Sequence, residues 1–330
     1  MALLELRDAG LYCAAGDFYV DPWRPIGRAV VTHAHSDHAC PGCRAYLATR
    51  ATVRLLEARL GEPGKIETLD YGQRISLGEV AVSFHPAGHI LGSAQVRIEH
   101  SGEVWVVSGD FKLTRDPTCP PFEPLRCHTF VTESTFGLPI FRWPEPAAVI
   151  ADVESWWLAN RQAGKASVLF AYPLGKAQRL LASLNPALGP IYAHPAVERF
   201  NRLYREIGVA LPATPPPGTE WRGGLILAPP ACQGSDWVHQ FPAASTAFAS
   251  GWMRIRGTRR RRALDRGFVL SDHADWTELL RAIAEGRAES VWVTHGFRAP
   301  LARWLAEHGC QARAVEANFE GAREEAEGAE

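Results

Sequence analysis

Four side chains able to bind a metal ion fall within six residues of one short stretch, "VVTHAHSDHACPG", residues 30–42: His33, His35, Asp37 and His38. Imidazole nitrogens and carboxylate oxygens are the donor set of zinc and of other divalent transition ions. Along an extended chain residues two apart share a face, which would aim His33, His35 and Asp37 the same way. His38 then needs a turn, and "DHACPG" reads as a turn leading into a helix. A catalytic zinc commonly takes three protein ligands. Four in one loop is a surplus that points to two ions sharing it, with the remaining ligands at strand ends elsewhere: His89, Asp110 and His295.

Other reactive residues read more plainly. Cys40 and Cys43 form a lone C-x-x-C. A structural zinc would need a second pair at similar spacing, which Cys119 and Cys127 do not provide, so the two are read as small residues of a turn. The seven cysteines are irregularly spaced, and reduced thiols are expected. His100, His128, His194, His239 and His308 are read as solvent-facing or hydrogen-bonded structural residues. "GKAQ" at 175–178 follows "LFAYPL", which lacks the first glycine of a P-loop, so no ATP site is expected.

The scaffold for these residues changes character along the chain. The first 135 residues read as short, Val-rich strands ending in polar or Gly-containing turns: "FYVDP", "RAVVTH", "VAVSFHP", "AQVRIEH", "VWVVSGD" and "TFVTES". The best helical pattern there is "RATVRLLEARL". From about Pro139 helices and strands alternate. "EPAAVIADVESWWLANRQAG" reads as a helix closed by Gly164, "SVLFAYP" as a buried strand, "GKAQRLLASL" as a helix, "PIYAHP" as a strand and "AVERFNRLYREIG" as an amphipathic helix. The strands "LILAPP" and "TAFASGW" follow a turn-rich connector. Such alternation implies a parallel α/β unit. "GFVLSDHADWTELLRAIAEG" and "SVWVTHGF" then return to strands ending in His, as expected of a second domain inserted within the first.

Bulk composition narrows the class. A chain of 330 residues, 46% hydrophobic and 22% charged, is an ordinary globular protein of about two domains. Charged residues within "MALLELRDAG" interrupt any signal peptide, and no stretch reaches the roughly 18 apolar residues of a membrane span. A cytoplasmic protein with no membrane partner is expected. A net charge of −1 argues against a surface coated for nucleic acid, but the distribution is uneven. "GWMRIRGTRRRRALDRG" holds seven arginines against one aspartate, and the tail from Glu316 holds six glutamates against one arginine. That tail is expected to be disordered or a frayed helix. The run Arg259–Arg262 has two readings, a solvated basic loop or a track for backbone phosphates. Trp252 and Trp276, which flank it, are either core residues or stacking platforms for bases.

These motifs bear a resemblance to a known family. "THAHSDH" resembles the signature of the metallo-β-lactamase superfamily. "HPAGHILGSA" resembles its third motif, with His89 as the ligand in preference to His85, and "VVSGDF" its fourth, with Asp110 bridging the metals. "VTESTFG" resembles motif A of the β-CASP nucleases, with Glu133, and "AYPLGKAQRLL" the helix of their inserted domain. "SDHADW" resembles motif B, with His273, and "VTHGF" motif C, with His295. The opening "GLYCAAGDFYVDPWRP" and the compact length are most similar to the bacterial ligase-associated DNA exonucleases, relatives of the Artemis-like repair nucleases.

The resemblance implies an α/β fold, a metallo-β-lactamase αββα sandwich with an inserted β-CASP α/β domain. The metallo-β-lactamase parts would be 1–136 and 267–316, the insert 137–266 and the acidic tail 317–330. It implies two divalent ions, zinc or manganese, one held by His33, His35, His89 and Asp110 and the other by Asp37, His38, Asp110 and His295. Asp37, His273 and Glu133 would be catalytic, with Glu133 holding His273. Asp21, in preference to Asp17, would buttress the His loop. Apart from the resemblance, Arg259, Arg260, Arg261, Arg262 and Ser271 are the candidate substrate-binding residues. The implied activity is DNA exonuclease: phosphodiester hydrolysis by a two-metal-activated hydroxide, in repair or end processing alongside an ATP-dependent DNA ligase and a helicase. His295 at motif C is shared with RNA-processing β-CASP enzymes and keeps a ribonuclease as the alternative. A small-molecule metallo-hydrolase would have no need of motifs A, B and C, and a non-catalytic binding protein no need of the ligand set.

Overall fold

The computed structural model describes residues 2–61, 63–255, 257 and 263–315; the acidic tail lies outside them. The described residues divide into two compact units, one formed by 2–142 together with 273–315, the other by residues of 143–272. The described residues form a mixed α/β structure with three sheets. No helix of the described residues is long and apolar enough to cross a membrane.

The first unit opens with Glu5–Arg7 (β1), Gly10–Cys13 (β2), Phe18–Val20 (β3), Arg28–Val30 (β4), Ala45–Ala48 (β5), the helix Arg50–Leu60 (α1) and Lys65–Thr68 (β6). These strands form one sheet in chain order, antiparallel from β1 to β3 and parallel from β3 to β6. Thr49 caps α1 by accepting from the Thr52 amide. Arg74–Leu77 (β7), Val80–Pro86 (β8), Ala94–His100 (β9), Glu103–Val107 (β10) and Thr129–Thr132 (β11) begin a second sheet.

In the sequence, the second unit follows β11 and precedes the strands that complete that sheet. Its order is Pro146–Gln162 (α2), Ser167–Phe170 (β12), Lys176–Ser183 (α3), Ile191–Ala193 (β13), Pro195–Glu206 (α4), Leu225–Ala228 (β14), Asp236–His239 (α5), Ser245–Ala249 (β15) and Arg266–Phe268 (β16). All five strands are parallel, ordered β13-β14-β12-β15-β16. Pro146 opens α2, where a missing N–H costs nothing. Val149, Val153, Trp156 and Trp157 then fall at the spacing of one helical face and are buried against that sheet. Neighbouring residues of β12 part company: Leu169 joins the α2 side, while Val168 and Phe170 join a cluster on the opposite face. A sheet covered on both faces explains the unbroken apolar run "VLFA".

The chain returns to the first unit through Trp276–Gly286 (α6), Ser290–Val293 (β17), Arg298–Glu307 (α7) and Gln311–Ala314 (β18). The second sheet is ordered β18-β17-β11-β10-β9-β8-β7, with β10, β11, β17 and β18 parallel. Alternation along its strands builds two cores. Trp105, Val107, Val131 and Trp292 pack with Phe18, Val20, Val30 and Leu47 of the first sheet. Val106, Phe130, Val291 and Val293 face the other way and meet Leu279 and Ile283 of α6 and Leu301 and Leu305 of α7. Each large apolar side chain so buried contributes roughly 1.5–3 kcal/mol.

Candidate metal centre

Parallel direction brings reactive residues to one edge of the first unit. β10, β11 and β17 are parallel neighbours, and β8 runs the same way because β9 is antiparallel to both β8 and β10. Their carboxyl ends are followed by His89, Asp110, Glu133 and His295. In the first sheet, β3 and β4 are parallel and followed by Asp21 and the His loop. The two sheets are joined there by the Ala94 amide, which donates to the Thr32 carbonyl at 2.8 Å. Gly109 makes the approach of Asp110 feasible: its φ is +56°, and a Cβ on it would lie 2.6 Å from the Thr32 side chain. His295 (φ 52°) and Asp21 (φ 44°) take left-handed backbone without being glycine, a strain that a packed surrounding must hold in place.

Among the described residues the expected ligands fall into two donor sets, and a further group joins His273 to Asp110 and Glu133. Suitable atoms of His33, His35, His89 and Asp110 all lie within 4.8 Å of one another, as do those of Asp37, His38 and His295. In the first, His35 Nδ1 is 3.1 Å from His33 Nε2 and 3.2 Å from His89 Nε2. Asp110 Oδ2 is 3.4 Å from His33 Nε2 and 3.7 Å from His89 Nε2. A tetrahedral ion with bonds of about 2.0–2.1 Å has ligand–ligand edges of about 3.3–3.4 Å. The spacing and the three-nitrogen, one-oxygen chemistry therefore fit a divalent ion. Asp110 Oδ1 turns to the second set, 3.3 Å from His38 Nε2. His38 Nε2 lies 3.7 Å from Asp37 Oδ2, and the His38 and His295 rings stack with centroids 4.8 Å apart.

A buried shell aims these ligands. Asp21 accepts from the Thr32 amide at 2.8 Å and from the Thr32 hydroxyl at 2.6 Å, and its Oδ2 is 2.8 Å from His38 Nδ1. The Thr32 hydroxyl also contacts His33 Nδ1 at 3.1 Å. With Nδ1 engaged, the Nε2 atoms of both rings turn to the centre. Asp17, by contrast, is exposed and accepts from the Tyr12 hydroxyl. His85 sits away from the donors, 3.1 Å from both Ser83 Oγ and Glu123 Oε1. His89 is held by Ser93, whose hydroxyl accepts from the His89 amide at 3.1 Å.

Charge in this buried cluster is uneven. Burial, then the neighbouring histidines, hold His33 well below 6.5. Burial opposes a proton on His38 too, but Asp110, Asp37 and Asp21 outweigh it and place His38 well above 6.5. Asp110 is pushed up to about 6 by burial, against the pull of His38. His295 is driven down to about 3, by burial and then by His38.

Beside the donors, Glu133 Oε2 lies 3.0 Å from His273 Nδ1, and Glu133 Oε1 accepts from the Phe111 amide at 2.9 Å. Asp110 Oδ2 is 3.9 Å from the same His273 nitrogen. The His273 segment is tied to the chain after Asp110 twice: the Ala274 amide donates to the Phe111 carbonyl at 2.6 Å, and Lys112 Nζ donates to the His273 carbonyl at 3.4 Å. Lys112 also faces Glu278 at 3.6 Å. Lys112 and Thr32 are supporting residues that motif spacing does not reveal, although Thr32 stands inside "THAHSDH".

Other expectations fall elsewhere. His33, His35 and Asp37 do not share a face: the chain turns at 36–38, which sends Asp37 to the second donor set, and the loop runs on to β5 without a helix. Arg259, Arg260, Arg261 and Arg262 lie outside the described residues. In the second unit Ser271 is buried and its carbonyl accepts from Arg179. Gln178 of "GKAQ" serves structure, accepting from the Gly175 amide at 2.7 Å and donating to Asn201 at 2.7 Å, while Lys176 pairs with Asp272 at 2.9 Å. Trp252 and Trp276 are both buried, as core residues are.

No family model matches the chain. It is similar to a probable DNA ligase of Opitutus terrae, 34% identical over 313 residues that cover 93% of this chain and 30% of that protein. It is 32% identical over 151 residues to Ribonuclease TTHA0252 of Thermus thermophilus, covering 36% of this chain and 34% of the ribonuclease. The chain thus spans about a third of the length of these relatives. A crystal structure of a protein of unknown function from Enterococcus faecalis shares the fold, with a TM-score of 0.60 at 13% identity, over 89% of this chain and 80% of that one. Further relatives are named as endoribonucleases and as an RNase J-like protein, so the chain is related by sequence to nucleases.

Proposed function

We propose that this chain is a metal-dependent nuclease of the β-CASP branch of the metallo-β-lactamase superfamily, hydrolysing phosphodiester bonds at DNA ends. One observation carries the reading: the Asp110 carboxylate serves two donor sets at once, with the Glu133–His273 pair beside it. Divalent ions held by the two sets would polarise phosphoryl oxygens and acidify water. The chain's own groups do the rest. His273, held through Nδ1 by Glu133, is the group that protonates the leaving oxygen. Asp37, whose side chain is 21% exposed, is the carboxylate of the centre that solvent reaches, and it takes up a proton from the attacking side. Asp21 and Thr32 keep the His loop in place. Residues 1–136 and 267–316 form the catalytic domain in this reading, and 137–266 the insert, with Arg259–Arg262 and Ser271 on the substrate.

DNA is favoured by the similarity of nearly this whole chain to about a third of the Opitutus protein, whose name, a probable DNA ligase, also supports work alongside a ligase. The ribonuclease names of the shorter matches favour RNA as the second reading. Digestion of end-labelled single- and double-stranded DNA and RNA with Zn²⁺, Mn²⁺ or Mg²⁺ separates them. DNA shortened from an end, and spared after chelation, is the expected result. RNA cut while DNA stays whole would replace the DNA reading with the ribonuclease one, and hydrolysis of a thioester but not of bis-p-nitrophenyl phosphate would remove both.

A further inference from the structure

The metal-ligand loop ends in Cys40-Pro41-Gly42-Cys43, where the two sulfur atoms lie 3.6 Å apart. Pro41 fixes its own φ near the value that the second residue of a turn requires, and Gly42 takes φ +85°. Pro followed by a glycine of positive φ is the pair of a type II turn, which brings its first and fourth Cα atoms within about 7 Å. A disulfide spans Cα separations of about 4.4–6.8 Å. One hydroxyl clamps the turn: Tyr46 donates to the Cys40 carbonyl at 2.8 Å and accepts from the Cys43 amide at 3.0 Å. Among the described residues no histidine, carboxylate or further cysteine joins these sulfurs in a metal-binding group. The pair is a dithiol, with Cys43 buried and Cys40 partly exposed.

We propose that Cys40 and Cys43 form a reversible disulfide that reshapes the ligand loop. The oxidant is a small disulfide of the glutathione class. One cysteine of the pair gives its proton to water and attacks one sulfur of that disulfide; the S–S bond breaks and the leaving thiolate takes up a proton. The other cysteine then loses its proton, attacks the first cysteine's sulfur and expels the second thiol. Two protein thiols are oxidised and one external disulfide is reduced to two thiols. The new bond of about 2.05 Å draws the sulfurs roughly 1.5 Å closer than they stand. The turn must absorb that movement two residues from His38 and three from Asp37. The coupling to metal rests on the metal-centre reading above; the disulfide itself does not.

The full chain, loaded with Zn²⁺, is treated with oxidised glutathione and compared with the same sample kept in dithiothreitol. Trypsin releases residues 29–44 as one peptide holding both cysteines. It is expected roughly 2 Da lighter after oxidation, blocked to maleimide until reduced. The oxidised chain is expected to lose zinc to a chelator about tenfold faster or more, as a disturbed ligand support does. Cys40→Ser is expected to show no such response. Both thiols still open to maleimide after oxidation, or a disulfide with zinc release unchanged, would overturn the proposal. A reduced chain that binds no zinc would overturn the metal-centre reading and the coupling with it, while the peptide mass reports on the disulfide alone.

Discussion

Asp110 and His38 share the centre of this site, and their protons set its response to pH. A proton on His38 is favoured by Asp110, Asp37 and Asp21, so a cation entering the second donor set must displace it. Asp110, raised to about 6 by burial, takes up a proton as pH falls through that value, and the shared carboxylate is then lost as an anionic ligand. Metal uptake near neutrality therefore releases protons, and affinity weakens on acidification. Zinc competition titrations are expected to show at least about tenfold weaker binding near pH 5.5 than near pH 7.5; equal affinities would contradict this protonation pattern. His273 stands outside the two expected donor sets, although it groups with Asp110 and Glu133; as the proposed acid rather than a ligand, its replacement in His273→Ala is expected to lower turnover by ~10²–10⁴-fold while zinc content stays unchanged. Steady-state rates with metal analysis of the same sample check it, and a wild-type rate would remove His273 from the chemistry. The sequence discloses the donors at this scale but not their grouping. Period-two alternation fails from Ser36 because the chain turns there, and a turn's direction depends on contacts such as Asp21 with Thr32 and His38 that lie far off in sequence.

Elements were legible where their faces were. The spacing of Val149, Val153, Trp156 and Trp157 gives α2, and "RATVRLLEARL" coincides with α1. Helix α2 ends at Gln162 with Ala163 as its C-cap, and Gly164 follows at φ +68°, closing the helix as expected. The stretch "GFVLSDHADWTELLRAIAEG", expected to return to strand, holds only the short β16 and then the helix α6. The local cause is a capping box: Asp275 accepts from the Glu278 amide at 2.9 Å, and the Glu278 side chain turns back to the Asp275 amide. Glu278 has a second task, accepting from the Thr114 amide at 2.6 Å, which pins the start of α6 to the segment that follows Asp110. Asp275→Ala is expected to cost about 1 kcal/mol, with the urea midpoint falling and the slope unchanged. Because the cap lies two residues from His273, the same variant is expected to lose turnover at unaltered metal content. A stability loss with full turnover would show that α6 and the His273 segment are set independently.

At the scale of the whole molecule, what sequence cannot show is pairing. β11 and β17 are hydrogen-bonded neighbours, Thr129 opposite Ser290 and Thr132 opposite Val293, yet the entire second unit intervenes between them. Local patterns mark each strand; only the packed sheet says that they adjoin and that His295 therefore emerges beside Glu133. Charge is the other whole-molecule property. A net charge of −1 gives no general attraction for a polyanion, so binding of a nucleic acid must draw on local basic segments, of which 254–266 is the densest in the chain. Each phosphate contact releases condensed counterions and adds about 0.9 to the slope of log affinity against log salt on duplex DNA, or about 0.7 on a single strand. Replacing Arg260 and Arg261 by glutamine is therefore expected to flatten that slope by roughly 1.4–1.8 and to weaken binding across all sequences alike. Binding isotherms of the slowed His273→Ala chain, without added metal and at several salt concentrations, read both quantities. An unchanged slope would assign the arginine run to solvent and move the search for the substrate path to other basic residues of the second unit.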